Sequence, residues 1–314
     1  MEGNSYVGAT ARGLTKEVDI PTPWGKIAAK TYGDFTNPPV LCIHGWLDNA
    51  NSFDKLLPYL PKDFFYVFMD LPGHGLSSHI PLGLEYSQSV YVTAVLHLVK
   101  YFKWSHFHII SHSMGGDIAS MFAAAFPKMV DKIVLIDATA VWVYLGGGNP
   151  ANVFRRNVNG IIEHENTLHK KKQKYTHEEA KKRAISGGTT TEETTETLFE
   201  RGFKRHEDGL YSIRRDLRTK FWSHTWDEPS PSHNTKEFLI NVKADILYII
   251  GKKGFIAKYF GLQWLKMTCT ETLSQAKIHD FVTVDGDHHV HIGNAETVAK
   301  HIGLFLCKIS SSKL

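Results

Sequence analysis

Hydrophobic positions along this chain gather into short runs. Such runs lie at Pro39–Ile43, Phe65–Met69, Phe107–Ile110, Lys132–Ile136, Asp245–Gly251 and Phe281–Val284. They are largely continuous rather than alternating, as in strands buried on both faces of a sheet. Between them the pattern changes period. Asp117–Phe126 is a small-residue helical run, and Glu296–Cys307 places Val298, Ile302, Phe305 and Leu306 on one helix face. Strands alternating with helices predict an α/β fold, a mostly parallel sheet with helices on both faces. From about Trp142 to His233 the chain becomes helix-like and charged, with Lys170-Lys171-Lys172, Lys181-Lys182-Arg183 and Arg214-Arg215-Asp216. Gly187-Gly188-Thr189-Thr190-Thr191 reads as a loop whose Thr caps the next helix. The predicted organisation is a core of residues 1–140 and 236–314 with a helical insertion at 141–235.

Composition narrows the class. With 314 residues the chain can bury a full α/β core. Its net charge of +4 is too mild to argue for nucleic acid. Cys42, Cys269 and Cys307 are scattered, which fits reduced thiols better than a disulfide framework. No run approaches the roughly 18 apolar residues of a membrane span. Met1–Thr15 is polar and does not read as a signal peptide.

The chemistry gathers where strands end. Ser111-His112-Ser113-Met114-Gly115-Gly116 lies between an apolar strand and a small-residue helix. Strand, sharp turn and helix with Ser113 at the apex is the setting of a nucleophile elbow. Such a turn strains the apex backbone and needs small residues two positions to either side, here Ser111 and Gly115. His44-Gly45-Trp46-Leu47-Asp48-Asn49 follows one strand, and Asp70-Leu71-Pro72-Gly73-His74-Gly75-Leu76-Ser77 follows another. Open α/β sheets build their sites at such ends.

These three motifs resemble the α/β-hydrolase fold superfamily. With Pro23-Trp24-Gly25-Lys26-Ile27-Ala28-Ala29-Lys30, they resemble its animal serine hydrolase-like branch. The resemblance runs from about residue 15 to 140 and again from about 281 to 306. It implies a nucleophile at Ser113 and an oxyanion hole from the backbone N–H groups of Met114 and Trp46, with Gly45 letting the loop turn. The His44 side chain is expected to be structural. In Asp285-Gly286-Asp287-His288-His289-Val290-His291 the resemblance places the general base at His288, with His289 and His291 as runners-up. Three clustered histidines also invite a zinc reading. No second Cys, His or carboxylate cluster at ligand spacing accompanies them, so no metal is expected.

The acid departs from the family pattern. A carboxylate is usual after the penultimate strand, but Gly254 stands there. The alternative is Asp137, at the end of the strand Lys132–Ile136. Without that acid a Ser–His dyad or a degenerate site remains. The sequence therefore supports two functions. One is a cofactor-free serine hydrolase of small-molecule carboxylesters or thioesters, with Ser113, His288 and Asp137 in the catalytic roles. The other is a non-catalytic binding or scaffold protein that has lost its acid. A serine apex argues against epoxide hydrolase or dehalogenase chemistry, which uses a carboxylate nucleophile. Finally, Ser312-Lys313-Leu314 has the form of a peroxisomal import signal. The expected partner is the import receptor, and the expected location is the peroxisomal matrix, with a cytoplasmic pool. The resembling animal proteins are associated with that organelle.

Overall fold

A computed structural model describes residues 15–139, 150–168, 173–185, 191–221 and 233–308. Each apolar run forms a strand of one eight-stranded sheet, ordered β1-β2-β4-β3-β5-β6-β9-β10. The strands are β1 (Lys16–Thr22), β2 (Gly25–Tyr32), β3 (Pro39–Ile43), β4 (Phe65–Met69), β5 (Phe107–His112), β6 (Val130–Ile136), β9 (Asp245–Gly251) and β10 (Lys277–Val284). From β4 through β10 the pairings are parallel, while β1–β2 and β2–β4 are antiparallel. The β1–β2 hairpin was not anticipated. Its residues mix Lys, Glu and Thr with apolar ones, so no apolar run announces it.

Successive residues of the central strands feed two separate cores. Leu41, Ile43, Ile109, Ile133, Leu135, Ile246 and Tyr248 face one core, with α1 (Gln88–Phe102) and α2 (Met114–Ala125) against it. Val40, Cys42, Ile110, Val134, Ile136, Leu247 and Ile249 face the other, with the predicted C-terminal helix against it. This two-sided burial explains why the strands read as continuous apolar runs.

Between β6 and β9 lie α3 (Pro150–Glu165), α4 (His177–Ile185), α5 (Glu192–Gly202), β7 (Phe203–Arg205), β8 (Tyr211–Ile213), a short 3₁₀ turn Leu217–Phe221 and α6 (His233–Leu239). The insert is thus not purely helical. β7 and β8 pair antiparallel around Asp208-Gly209, with Gly209 at φ 78°. An Asp-Gly pair is a strong hairpin signal, and it was readable here. Leu239 of α6 joins the first core, so the predicted boundary at 235/236 falls inside a core helix. The remaining helices flank β10: α7 (Phe255–Tyr259) and α8 (Leu262–Thr272) precede it, and α9 (Val290–Gly293) and α10 (Ala295–Leu306) follow it.

The insert is fastened to the C-terminal ends of the strands by buried polar contacts. Arg201 of α5 donates from Nε to Asp70 Oδ2 (2.7 Å) and from its terminal nitrogens to both Glu17 oxygens (2.6 and 3.0 Å). Asp70 also accepts the Ala50 and Leu76 N–H groups. Gly75, at φ 51°, has no room for a Cβ, which would sit 2.3 Å from the Asp70 carboxylate. Arg218 donates to Asp216 and to the carbonyls of Ile80, Pro81 and Leu84. Among the described residues no helix is long and apolar enough to cross a membrane.

Candidate active site

Ser113 sits between β5 and α2 at φ 50°, ψ −124°, a conformation rare for a residue with a side chain. The surroundings over-determine it. A Cβ on Gly115 would lie 2.3 Å from the Ile43 carbonyl oxygen, and one on Gly116 would lie 2.5 Å from Ala138 Cβ. Ser111, where glycine is usual, is fully buried and donates from Oγ to the Val134 carbonyl (3.0 Å). Met114 opens α2, and a first-turn N–H has no partner within its helix.

The structure brings Ser113, His288 and Asp137 together. His288 Nδ1 lies 2.6 Å from Asp137 Oδ2, and Nε2 lies 2.9 Å from Ser113 Oγ. A carboxylate only accepts, so Nδ1–H donates to it, and Nε2 accepts from the serine hydroxyl. Asp137 is completely buried and leaves β6 in the left-handed region at φ 43°. It also accepts the N–H of Phe255 (2.6 Å) and of Gly251 (3.3 Å) at the end of β9.

Gly254 now has a physical explanation. It has an ordinary φ of −77°, so it is not needed for backbone freedom. A Cβ there would fall 2.5 Å from both Asp137 oxygens. The carboxylate from β6 occupies the volume into which a side chain at 254 would point.

The loop after β3 runs beside this group. His44 is fully buried, accepts the Leu71 N–H on Nε2 (3.1 Å) and donates from Nδ1 to the Gly45 carbonyl (2.8 Å). Burial lowers its pKa and keeps it neutral. Its role is structural, as expected. The reason for Gly45 differs from the expected one. The left-handed residue of this turn is Leu47, at φ 63°. Gly45 is required because a Cβ there would lie 2.7 Å from His112 Nδ1 and 3.2 Å from Asp48 Oδ2. The Trp46 indole donates to the Thr219 carbonyl of the insert (2.9 Å).

Asp48 and His112 were not singled out from the sequence. No spacing rule links residue 48 to residues 112 and 289. The structure stacks Asp48, His112, His289 and His291 behind the Ser–His–Asp group, all buried. His112 Nε2–H donates to the main-chain oxygen of His288 (2.9 Å). His289 Nε2–H donates to both Asp48 oxygens (3.3 Å each). His291 bonds Ser52 Oγ (2.8 Å), and that hydroxyl donates to Asp48 Oδ2 (3.3 Å). His289 and His291 are therefore local packing and hydrogen-bonding residues, and neither reaches Ser113.

Burial disfavours every charge in this cluster. Even so, His289 and His112 hold the Asp48 carboxyl well below the usual carboxylate range. Asp48 in turn raises His289, while burial pushes His112 down to about 4. By donor type Asp48, His112 and His289 could hold a metal ion, with donor atoms within 4.8 Å of one another. Asp48 brings the carboxylate that the sequence pattern lacked. His112 Nδ1, 3.3 Å from Asp48 Oδ2, lacks the alignment of a hydrogen bond. Protons already account for the other contacts. Ser312, Lys313 and Leu314, and the charged run Lys170–Lys172, lie outside the described residues.

Comparison with known proteins places this geometry. The family profile for the alpha/beta hydrolase fold matches residues 38–295. The chain is 35% identical over 309 residues to "Serine hydrolase-like protein" of Mus musculus, covering 94% of this chain and 96% of that protein. It is 35% identical over 316 residues to the protein of the same name from Danio rerio, covering 98% and 93%. Among solved structures, a hypothetical protein from Pseudomonas aeruginosa PAO1 superposes with TM-score 0.75 at 27% identity, over 93% of this chain and 99% of that one. The "Thioesterase Domain From Curacin Biosynthetic Pathway" superposes at 0.72 with 22% identity, over 92% and 99%, a likeness of fold.

Proposed function

We propose that this chain, which belongs to the α/β-hydrolase fold family, is a serine hydrolase that cleaves carboxylesters or thioesters through an acyl-enzyme on Ser113. The observation that carries the reading is the unbroken Ser113–His288–Asp137 hydrogen-bonded chain, with distances of 2.9 and 2.6 Å. Ser113 Oγ attacks the carbonyl carbon while His288 Nε2 takes its proton. The oxyanion is held by the Met114 and Trp46 N–H groups. Collapse expels the alcohol or thiol, which takes its proton from His288. Water then repeats the sequence on the acyl-enzyme and releases the acid. Asp137 keeps the proton on Nδ1 and offsets the imidazolium charge. No step calls for a cofactor. The insert, fastened by Arg201 and Arg218, forms the lid over the pocket.

The alternative, a binding protein that has lost its acid, rested on Gly254. Asp137 in the space facing Gly254 removes that motive.

A fluorophosphonate probe tests the reading. Wild-type protein should label and should turn over p-nitrophenyl acetate. Ser113→Ala should do neither while keeping its melting temperature. Labelling that survives in Ser113→Ala would transfer the role to another serine.

A further inference from the structure

Three chain neighbours of the proposed catalytic groups are themselves joined. His112 precedes Ser113, His289 follows His288, and Asp48 lies two residues beyond Trp46. Each is at most 4% exposed. Asp48 accepts from His289 Nε2 on both oxygens (3.3 Å each), and its Oδ2 lies 3.3 Å from His112 Nδ1. The other ring nitrogen of His112 donates to the His288 carbonyl (2.9 Å). Further along the same loop, His291 Nε2 bonds Ser52 Oγ (2.8 Å), whose hydroxyl donates to Asp48 (3.3 Å). Residues 288, 289 and 291 are thus each fastened to one buried cluster, 288 by its main chain and the others by their side chains.

The cluster also reaches the turn that carries Trp46. The Asp48 N–H donates to the Gly45 carbonyl (3.2 Å) and closes that turn. The His112 ring is wedged against the imidazoles of His288, His289 and His291, with centroids 4.7, 4.8 and 4.3 Å away. Gly45 leaves room for this ring, since a Cβ there would come within 2.7 Å of His112 Nδ1. Towards β9 the loop is set by main-chain bonds, from Lys252 N to the Val284 carbonyl and from Lys253 N to the Gly286 carbonyl (2.9 Å each). Those bonds reach residue 286, and the bond from His112 takes over at 288. Buried hydrogen-bond networks fix atom positions more sharply than apolar packing does.

We propose that Asp48 and His112 are positioning residues for the general base. They hold the loop of residues 285–291 so that His288 Nε2 stays within reach of Ser113 Oγ, in register with the Trp46 turn. This rests on the serine-hydrolase reading above. Both residues act through His288 and neither touches the reacting atoms. A displacement of about 1 Å at the base costs roughly 10²-fold in rate.

The test is kcat and KM on p-nitrophenyl acetate, with active sites counted by a fluorophosphonate. His112→Leu fills much of the ring's volume and removes the donor. Its kcat per counted site should fall roughly 10- to 100-fold while KM holds, because the residue bears on the base and not on substrate binding. His112→Gln, whose amide nitrogen can stand where Nε2 stands, should recover most of that loss. Asp48→Ala should show the same split between kcat and KM. The double variant His112→Leu/Asp48→Ala should lose about as much as the worse single variant, because both residues act through one chain of contacts.

A residue that only stabilised the fold would lower the melting temperature and the number of labelled sites and leave kcat per site at the wild-type value. That result overturns the proposal and leaves the hydrolase reading standing. So does a His112→Gln as impaired as His112→Leu, or a double variant whose losses simply add. If one of the two truncations does not fold, the other decides. If the wild type neither labels nor turns over ester, the hydrolase reading fails, and hydrogen exchange over residues 285–294 tests the tether by itself. Faster exchange in His112→Leu than in His112→Gln supports it, and equal exchange overturns it.

Discussion

Replacing Asp137 by Asn probes the least usual part of this site. The carboxylate takes two short hydrogen bonds on Oδ2, from His288 Nδ1 and Phe255 N, and one long one on Oδ1, from Gly251 N at 3.3 Å. An asparagine can place its oxygen at the Oδ2 position and keep both short bonds. Its NH₂ group then faces the Gly251 N–H, so only the long bond is lost. That loss costs about 1 kcal/mol, or a few degrees in melting temperature. The His288 tautomer survives, so the rate effect comes from the missing negative charge. A carboxylate about 4 Å from the imidazolium at an effective dielectric near 20 contributes about 4 kcal/mol. At 1.36 kcal/mol per decade, kcat should fall about 10³-fold.

The assay is kcat and KM on p-nitrophenyl acetate, with active sites counted by fluorophosphonate. KM should move little, because the charge matters only when His288 is protonated. A loss under tenfold would remove Asp137 from the mechanism. The structure also specifies a rescue. Since a side chain at 254 would enter the same volume, the double variant Asp137→Gly/Gly254→Asp should recover activity that Asp137→Gly lacks. Gly254→Asp alone should lose activity, because its Cβ would lie 2.5 Å from the Asp137 oxygens.

Three further outcomes follow from contacts elsewhere. Gly115→Ala drives a Cβ to 2.3 Å from the Ile43 carbonyl and should cost about 3 kcal/mol or more, read as a melting temperature lower by roughly 6–12 °C; a wild-type value would refute the close approach. Arg201→Met leaves Asp70 buried and unpaired, so it should cost about 3–5 kcal/mol and speed proteolysis within 173–221, with Arg201→Met/Asp70→Asn recovering part; unchanged proteolysis would mean that this contact does not hold the insert. Melting temperature should fall as pH drops from about 6.5 towards 4. His74 and His112 are held neutral, near 3 and 4, while their unfolded counterparts take up protons near 6.5, so the stability they confer is full above that pH and lost below it. A flat profile between pH 7 and 4.5 would contradict their burial.

Much of the central sheet was legible because parallel strands covered on both faces need apolar residues at successive positions. Leu41 and Cys42, adjacent in sequence, serve opposite cores. The Ser113 elbow was legible because its strain demands a fixed local order of strand, small residues and helix. Asp48 and His112 were invisible because their partnership with His289 spans distant loops and leaves no periodicity. The β1–β2 hairpin was missed because an edge hairpin with polar positions carries little apolar signal. Gly254, read alone, says only that the usual acid is missing from its usual place. Only coordinates show that its missing side chain leaves room for a carboxylate from another strand.

The placement of Asp137 has a consequence for how the gene can vary. The proposed nucleophile, acid and both oxyanion donors are all encoded before residue 140, and β5 and β6 are neighbours in register, with His112 opposite Ile136. Lengthening or shortening the chain between β6 and β9 therefore cannot shift Ser113 relative to Asp137. Only the strand that delivers His288 lies downstream, and it is pinned to β9 by its own parallel register. With an acid at position 254, two of the three members would lie beyond the insert. The insert can thus change in length and composition while the proposed reactive centre stays in frame. Two separately expressed halves, divided within residues 140–149, should reassemble a centre whose second half contributes a single imidazole.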